Sequence, residues 1–455
     1  MGMKKQPNKW MKLFALPLLC VALACTGAAT ETAPTQAPVV QATPVDEVIE
    51  VVAPVISAVP STVPLTAEPT ATPEPTEAPT PEPTATPVPT PAVVTIGAVG
   101  DIMAPSQIVE DAKVSGGAYD FMTLFAPFAE LFQSVDLMCG NLETPLAGKE
   151  AGYSTKTNDG ALVFNAPDSL LDALKASGVD VLTTANNHCL DKDAAGLFRT
   201  VEQIRAAGFY QTGTYLSEAD RETPLIVEIN GIRIGIVAGT RKPNASKTKR
   251  HITDEESRAV ISYLINDKSI TDSAVRDIAR VREAGADFVI YFAHWDYESD
   301  NPTADVTKGL ARQLFTAGAD CIVGSHPHRI KGAEFMTVQR EDGPYTGLVL
   351  YSLGNFTANN RFELMVGLFA KLTIEKNFET GRVSLVDAAV LPTMTIRRGG
   401  SGQRFTVVPV YADTAKITGL GSALTSSEIK NLQNARAFAW KRLGTCEGLR
   451  VLDED

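Results

Sequence analysis

From residue 93 onward the chain alternates between two apolar patterns. One is a short, unbroken apolar run that ends on a polar residue. VVTIGAV runs into Gly100-Asp101, and LMCGNLE, VLTTANNH, FVIYFAHW and CIVGSHPH follow. The other places apolar residues three and four apart, as in DSLLDALKAS and GLFRTVEQIRAA. The first pattern predicts strands buried on both faces, and the second predicts amphipathic helices. A recurring phrase joins them: Ser134-Val135-Asp136, Gly178-Val179-Asp180, Gly285-Ala286-Asp287 and Gly318-Ala319-Asp320 each stand before such a run. Glycine there suits a left-handed helix C-cap.

Alternating helices and buried strands predict an α/β domain. PLIVEI, Asn230-Gly231 and IRIGIVAG predict a two-residue hairpin. Further strands are expected at 347–353, 367–374 and 382–391, giving two packed mixed sheets with helices outside, an α/β/β/α arrangement. Near the end, Thr425-x-x-Glu428 forms a capping box and predicts a helix to about Leu443. That helix carries no evident chemistry and is expected to pack on the domain.

The first 92 residues follow neither pattern. Lys4, Lys5, Lys9 and Lys12 precede the apolar run Leu13 to Ala24, the layout of a secretory signal over residues 1–24. The run is too short for a stable membrane span. It ends Ala22-Leu23-Ala24-Cys25, which reads as a lipobox with Cys25 lipidated, or as the cleavage site of a plain secreted form. Lipid on Cys25 would hold the protein on a membrane surface. Residues 26–92 carry fifteen of the 28 prolines, eight acidic residues and no Lys or Arg. Proline fixes φ and removes donors, so a spacer rather than a core is expected, reaching up to roughly 200 Å at about 3.1 Å per residue. The organisation expected is therefore a signal at 1–24, Cys25 with a linker to residue 92, a domain over 93–412, and a helical extension over 413–455.

Of the net charge of −12, residues 93–455 carry −8. An acidic domain is a poor general binder of nucleic acid, and no nucleic-acid partner is expected. An anionic substrate must be met locally, for example by metal ions. The six cysteines form no C-x-x-C pair or disulfide framework. Cys139, Cys189 and Cys321 adjoin apolar strand ends and are expected as buried thiols.

Ligand sites in α/β sheets gather beyond the carboxyl ends of strands. Here those ends carry Asp101, Glu143, Asn187 with His188, His294, and His326 with His328. Four of the five histidines fall there; the fifth, His251, lies in a polar stretch. An isolated histidine is ordinarily a satisfied core or surface residue, but this clustering by topology favours a site. Imidazoles with carboxylates and an amide oxygen suit Zn, Mn or Fe, and the lack of thiolates argues against a structural zinc. Two such ions clamp an anionic group and lower the pKa of a bridging water.

The motifs Gly100-Asp101-Ile102-Met103, Asn141-Leu142-Glu143, Ala185-Asn186-Asn187-His188 with Asp191, His294-Trp295, Gly324-Ser325-His326-Pro327-His328 and Tyr351-Ser352-Leu353-Gly354-Asn355-Phe356 resemble, in this order, the CapA family of bacterial capsule synthesis proteins. The resemblance covers about residues 93–390. It implies a calcineurin-like metallophosphatase fold, with Asp101, Glu143, Asn187, His294, His326 and His328 as ligands of one or two divalent metals. It also implies that His188 protonates a leaving group. Two positions depart from the metallophosphatase pattern. Met103 replaces the histidine of Asp-x-His, which removes one imidazole, and Glu143 stands where an aspartate bridges. Within the CapA pattern Asp296 replaces a glycine after His-Trp, adding a ligand or narrowing the cleft, while Glu298 agrees.

What the resemblance implies is a surface protein, on the outer face of the cell membrane or in the wall, that acts in synthesis, export or retention of poly-γ-glutamate. Its partners would be that polymer and membrane synthesis or export proteins. The donor set alone supports a metal-dependent hydrolase of phosphate esters or other anionic bonds. A non-catalytic polymer-binding module is the third reading.

Overall fold

The computed structural model describes residues 91–453 except 157–159, 245–253, 265–267, 360 and 399–404. The N-terminal signal and linker, Cys25 and His251 therefore lie outside the described residues. Among those described, no helix is long and apolar enough to cross a membrane.

Four parallel strands open the chain's first sheet: β1 (Ala92–Ile102), β2 (Leu137–Leu142), β3 (Val181–Thr183) and β4 (Tyr210–Thr212). Helices α1 (Ser169–Ser177) and α2 (Asp193–Ala206) form the connections around β3. The second sheet begins with the expected hairpin, β5 (Leu225–Ile229) and β6 (Ile232–Thr240). Asn230 and Gly231 hold φ of 52° and 74° in its turn, the left-handed pair a two-residue hairpin requires. Parallel strands β7 (Phe288–His294) and β8 (Cys321–Ser325) follow, preceded by helices α3 (Lys268–Glu283) and α4 (Asp305–Thr316). Then β9 (Ala333–Arg340) and β10 (Gly343–Leu350) complete the order β9-β10-β8-β7-β6-β5.

The chain then returns to the first sheet. Short β11 (Asn355–Thr357) pairs with β1, and β12 (Val366–Lys376), β13 (Val383–Arg397) and β14 (Phe405–Pro409) extend it antiparallel beyond β1. Helix α5 (Ser426–Leu443) starts with the capping box of Thr425 and Glu428, and β15 (Leu449–Val451) pairs in parallel with β13 at Ala388–Val390. Residues beyond 412 thus contribute a strand to the sheet as well as a helix.

Strand alternation sorts the core into layers. Ile96 and Ala98 of β1, Cys139 of β2, Ile234 and Ile236 of β6, Phe288, Ile290 and Phe292 of β7, and Val323 of β8 meet between the sheets. The opposite face of the first sheet, with Val99, Met138 and Leu182, is covered by Leu170 and Leu174 of α1 and by Phe121, Phe125, Phe128 and Phe132. The opposite face of the second, with Val289, Tyr291 and Ile322, is covered by Ile278 of α3 and Leu314 of α4. The layers therefore run helix, sheet, sheet, helix, as the apolar patterns predict. Helix α5 places Leu432, Ala435 and Ala439 in the inter-sheet layer. No disulfide joins the described cysteines, and Cys139, Cys189 and Cys321 are buried.

The recurring aspartate has a common role. Asp136, Asp180, Asp287 and Asp320 each stand at the start of a strand, and each makes two bonds to one residue of the strand beside it. The backbone N–H donates to the carbonyl of Thr95, Met138, Arg233 or Val289 at 2.7–2.9 Å. The carboxylate accepts the same residue's N–H, also at 2.7–2.9 Å. Gly178, Gly285 and Gly318 precede three of them with φ of 99°, 88° and 112°. Ser134 differs: its φ is −83°, and its hydroxyl donates to the Leu131 carbonyl at 2.7 Å, which closes that helix without a left-handed residue.

Asp180→Ala would leave the Met138 N–H without its acceptor, so a loss of about 1–3 kcal/mol is expected in urea unfolding. Asp180→Asn keeps an acceptor oxygen and should lose less. Equal midpoints for parent and Asp180→Ala would refute the clamp.

Candidate metal centre

The carboxyl ends of β1, β2, β7 and β8 converge on one point. Asp101 reaches it because the backbone bends: pairing of β1 with β2 shifts register between Val99 and Asp101. Gly100 permits the bend, since a Cβ there would lie 1.9 Å from the Gly354 carbonyl oxygen. That carbonyl accepts the Asp101 N–H at 3.1 Å. Asn355, the next residue, stands opposite Asp101 in the β1–β11 pairing. On the other sheet Trp295 is fully buried, and its indole N–H donates to the Tyr351 carbonyl at 2.9 Å. This anchors the turn that follows His294.

Asp101 and Glu143 are both fully buried. The Asn141 amide donates to Asp101 Oδ1 at 2.7 Å, and the His326 N–H to Oδ2 at 3.2 Å. His328 Nδ1 lies 3.3 Å from Asp101 Oδ2 and 2.9 Å from Asn355 Oδ1. Burial raises the Asp101 carboxyl, but the His328 hydrogen bond and the charges of His294 and His328 outweigh it and hold it well below the usual range. Burial also lowers His328, but its bond to Asp101, the charges of Asp101 and Glu298 and the bond to Asn355 together outweigh it and raise the ring above its ordinary value.

Glu143 has the opposite character. Neither carboxylate oxygen has a hydrogen-bond partner. Burial, then the charges of Asp101 and Glu298, push its carboxyl far above the ordinary value. Three imidazoles surround it without bonding: His294 Nε2 at 3.5 Å, His188 Nε2 at 3.9 Å and His328 Nδ1 at 3.9 Å.

His294 is lowered well below its ordinary value by burial and by His326. Its Nδ1 lies 3.0 Å from Ser325 Oγ, and its Nε2 lies 2.8 Å from Asn187 Oδ1. Burial and His328 push His326 down to about 4, and its Nδ1 is enclosed without a partner. His326 and His328 take φ of 94° and 57°, which turns two successive rings of the His-Pro-His segment inward. His188 Nδ1 lies 2.6 Å from Asp191 Oδ2. Since an ionised carboxylate only accepts, Nδ1 carries the proton and Nε2 faces Glu143. The Phe164 ring packs over the His188 imidazole at 4.3 Å.

All seven side chains singled out in the domain therefore belong to one cluster. Two sets within it could hold an ion, Asp101 with Glu143 and His294, and Glu143 with His326 and His328; within each set the donor atoms lie within 4.8 Å of one another. Glu143 is common to both. Met103 instead packs with Phe164 and Ala358 in a small apolar cluster. Asp296 turns away: Oδ1 accepts from Thr307 Oγ1 at 3.2 Å at the start of α4, and its φ of 67° accounts for the glycine expected there. Asn141 and Asn355 join the site without having been marked by sequence reasoning, although both lie inside the motifs that carry the resemblance.

The family described as bacterial capsule synthesis protein PGA_cap matches residues 95–360, over half of the chain and every one of these side chains. The chain belongs to this family. "Capsule biosynthesis protein CapA" of Bacillus anthracis is 28% identical over 266 residues, 58% of this chain and 59% of that protein. "PGA biosynthesis protein CapA" of Bacillus subtilis (strain 168) is 26% identical over 353 residues, 77% of this chain and 80% of that protein. The crystal structure of TT1561 of Thermus thermophilus aligns over 64% of this chain and 98% of that one, at 10% identity and a TM-score of 0.30. That is too distant to inform the fold, and the layer order rests on the strand pairings above.

Gly100→Ala should destabilise the protein by about 1–3 kcal/mol, the cost of overpacking, because backbone would have to move away from Gly354. Thermal melts check this; an unchanged Tm would mean that β1 and β11 do not approach as described.

Proposed function

We propose that this protein acts in the synthesis, export or retention of poly-γ-glutamate, exported and held at the cell surface through Cys25 and the proline-rich linker, by means of a divalent metal centre. Asp101, Glu143, Asn187, His294, His326 and His328 would hold one or two ions of Mn, Zn or Fe. The observation that carries this is Glu143, whose two buried oxygens have no hydrogen-bond partner and face three imidazoles. A buried carboxyl in this setting either takes up a proton, the direction in which burial and Asp101 push it, or keeps its charge by holding a cation. The donors also fit by type, being imidazole nitrogens with carboxylate and amide oxygens.

When bound, such ions supply Lewis-acid polarisation of an anionic group and a water of lowered pKa. The chain's own residues do the rest. Asp101 is fixed by Asn141 and the His326 N–H, and His328 is oriented by Asn355. His294 and His326 stay neutral, which leaves lone pairs for donation. Asp191 holds the proton of His188 on Nδ1, fixing the ring so that Nε2 addresses the site. Phe164 shields one face of that ring from water. With a second proton on Nε2, the imidazolium of His188, its Nδ1–H kept on Asp191, would hand that Nε2 proton to the leaving atom of a substrate and return to the neutral ring.

This last pair favours a second reading, hydrolysis of phosphate esters or other anionic bonds, over a non-catalytic binding module. Turnover that disappears in His188→Ala with metal retained would support catalysis.

Elemental analysis of the purified protein should find at least one divalent metal per chain, and less than half as much in the His326→Ala/His328→Ala variant. A parent free of metal after supplementation would refute the centre. In cells that make the polymer, the same variant should reduce surface poly-γ-glutamate; unchanged capsule would count against the biological role.

A further inference from the structure

A cleft of about 400 Å³ opens between the segment that follows His328, the loop that follows Trp295, and the end of α5. Its volume lies within the range of about 300–1,000 Å³ typical of ligand sites. Lys308, Lys331, Lys441 and Arg442 line it, against Asp300 and Glu334. The cleft is thus net basic in a domain that is acidic as a whole.

Two of these cations, Lys331 and Lys441, make no ion pair among the described residues. Lys331 is 3% exposed, yet its ammonium donates only to the carbonyls of Ser299 and Asn301. Among the described residues no carboxylate lies within ion-pairing distance of it. Lys441 is exposed and likewise makes no ion pair among them, while Lys308 meets only the fully exposed Asp305, at 4.0 Å. Asp300 is shared between Arg329 at 2.8 Å and Arg442 at 3.9 Å. Burial lowers the Lys331 ammonium, and the charge of Asp296 partly offsets this; with two of its three N–H groups on carbonyls, the third is left for an incoming anion.

Both walls of the cleft continue into the centre. Lys331 is three residues from His328, and Asp300 is six from His294.

We infer that this cleft is a second subsite that binds carboxylates of a polyglutamate chain next to those at the metal centre. The inference rests on the polymer reading above and adds where the neighbouring residues of the chain are held. A γ-linked glutamyl chain bears one free carboxylate per residue, so it offers repeated anions to Lys331 at the cleft floor and to Lys308 and Lys441 at its rim. The domain's net negative charge gives such a chain no general attraction to the surface, so local cations must supply it.

The test is binding of fluorescently labelled poly-γ-glutamate to the full protein across a range of salt, with Lys308→Ala/Lys441→Ala as the variant. Both lysines are exposed, so the variant should keep the parent's Tm. Affinity is expected to fall about tenfold and its salt dependence to become shallower, as screened charge contacts are lost. If the parent binds the polymer and the variant binds it equally, the cleft assignment fails while the polymer reading stands. A parent that binds no polymer overturns both. Equal competition by polyphosphate would show a site for polyanions at large and overturn the assignment to carboxylates.

Discussion

Four aspartates hold β1 to β2, β2 to β3, β6 to β7 and β7 to β8 in register, and the ends of these strands carry the site. Each makes its two bonds at the end of the strands remote from the centre. A strand's side chains alternate between faces, so a slip of one residue would turn the inter-sheet residues outward. The same slip would move the strand's carboxyl end by about 3.3 Å. Fixing the starting residue therefore fixes Asp101, Glu143, His294 and the His326–His328 turn relative to one another. The bonds are individually modest, but a wrong register would lose all of the burial that the correct one gains.

At the opposite end the constraint is charge. Asp101 and Glu143 are buried side by side, and they are treated differently by their surroundings. Asp101 is satisfied by an amide, a backbone N–H and an imidazole, whereas Glu143 accepts nothing. The fold thus completes one carboxylate and leaves the oxygens of the other without a partner. Because a cation held there would bind the folded chain and not the unfolded one, its binding energy would add to stability.

Much of this is legible along the chain. The apolar runs mark the strands, the Asn230-Gly231 turn marks the hairpin, and the clustering of histidines at strand ends marks the site. What cannot be read there is set by contacts between distant segments. Nothing local to Asn141 or Asn355 says that one donates to Asp101 and the other orients His328. Asp296 stays open between ligand and obstacle in the sequence because its direction depends on φ and on Thr307 in the next helix. The strand Leu449–Val451 is too short for periodicity to reveal, and its place comes from pairing with β13.

The pairing of Asp101 with Asn355 also sets a timetable. A growing chain produces Asp101 roughly 250 residues before Asn355, an interval of about 10–50 s at ~5–20 residues per second. Until then the first carboxylate has neither the carbonyl of Gly354 beside it nor the asparagine that orients His328. A nascent chain, or a fragment ending before Ser325, holds two carboxylates and no His-Pro-His turn. Capture of an ion by the complete set would thereby wait until the chain is well past its midpoint.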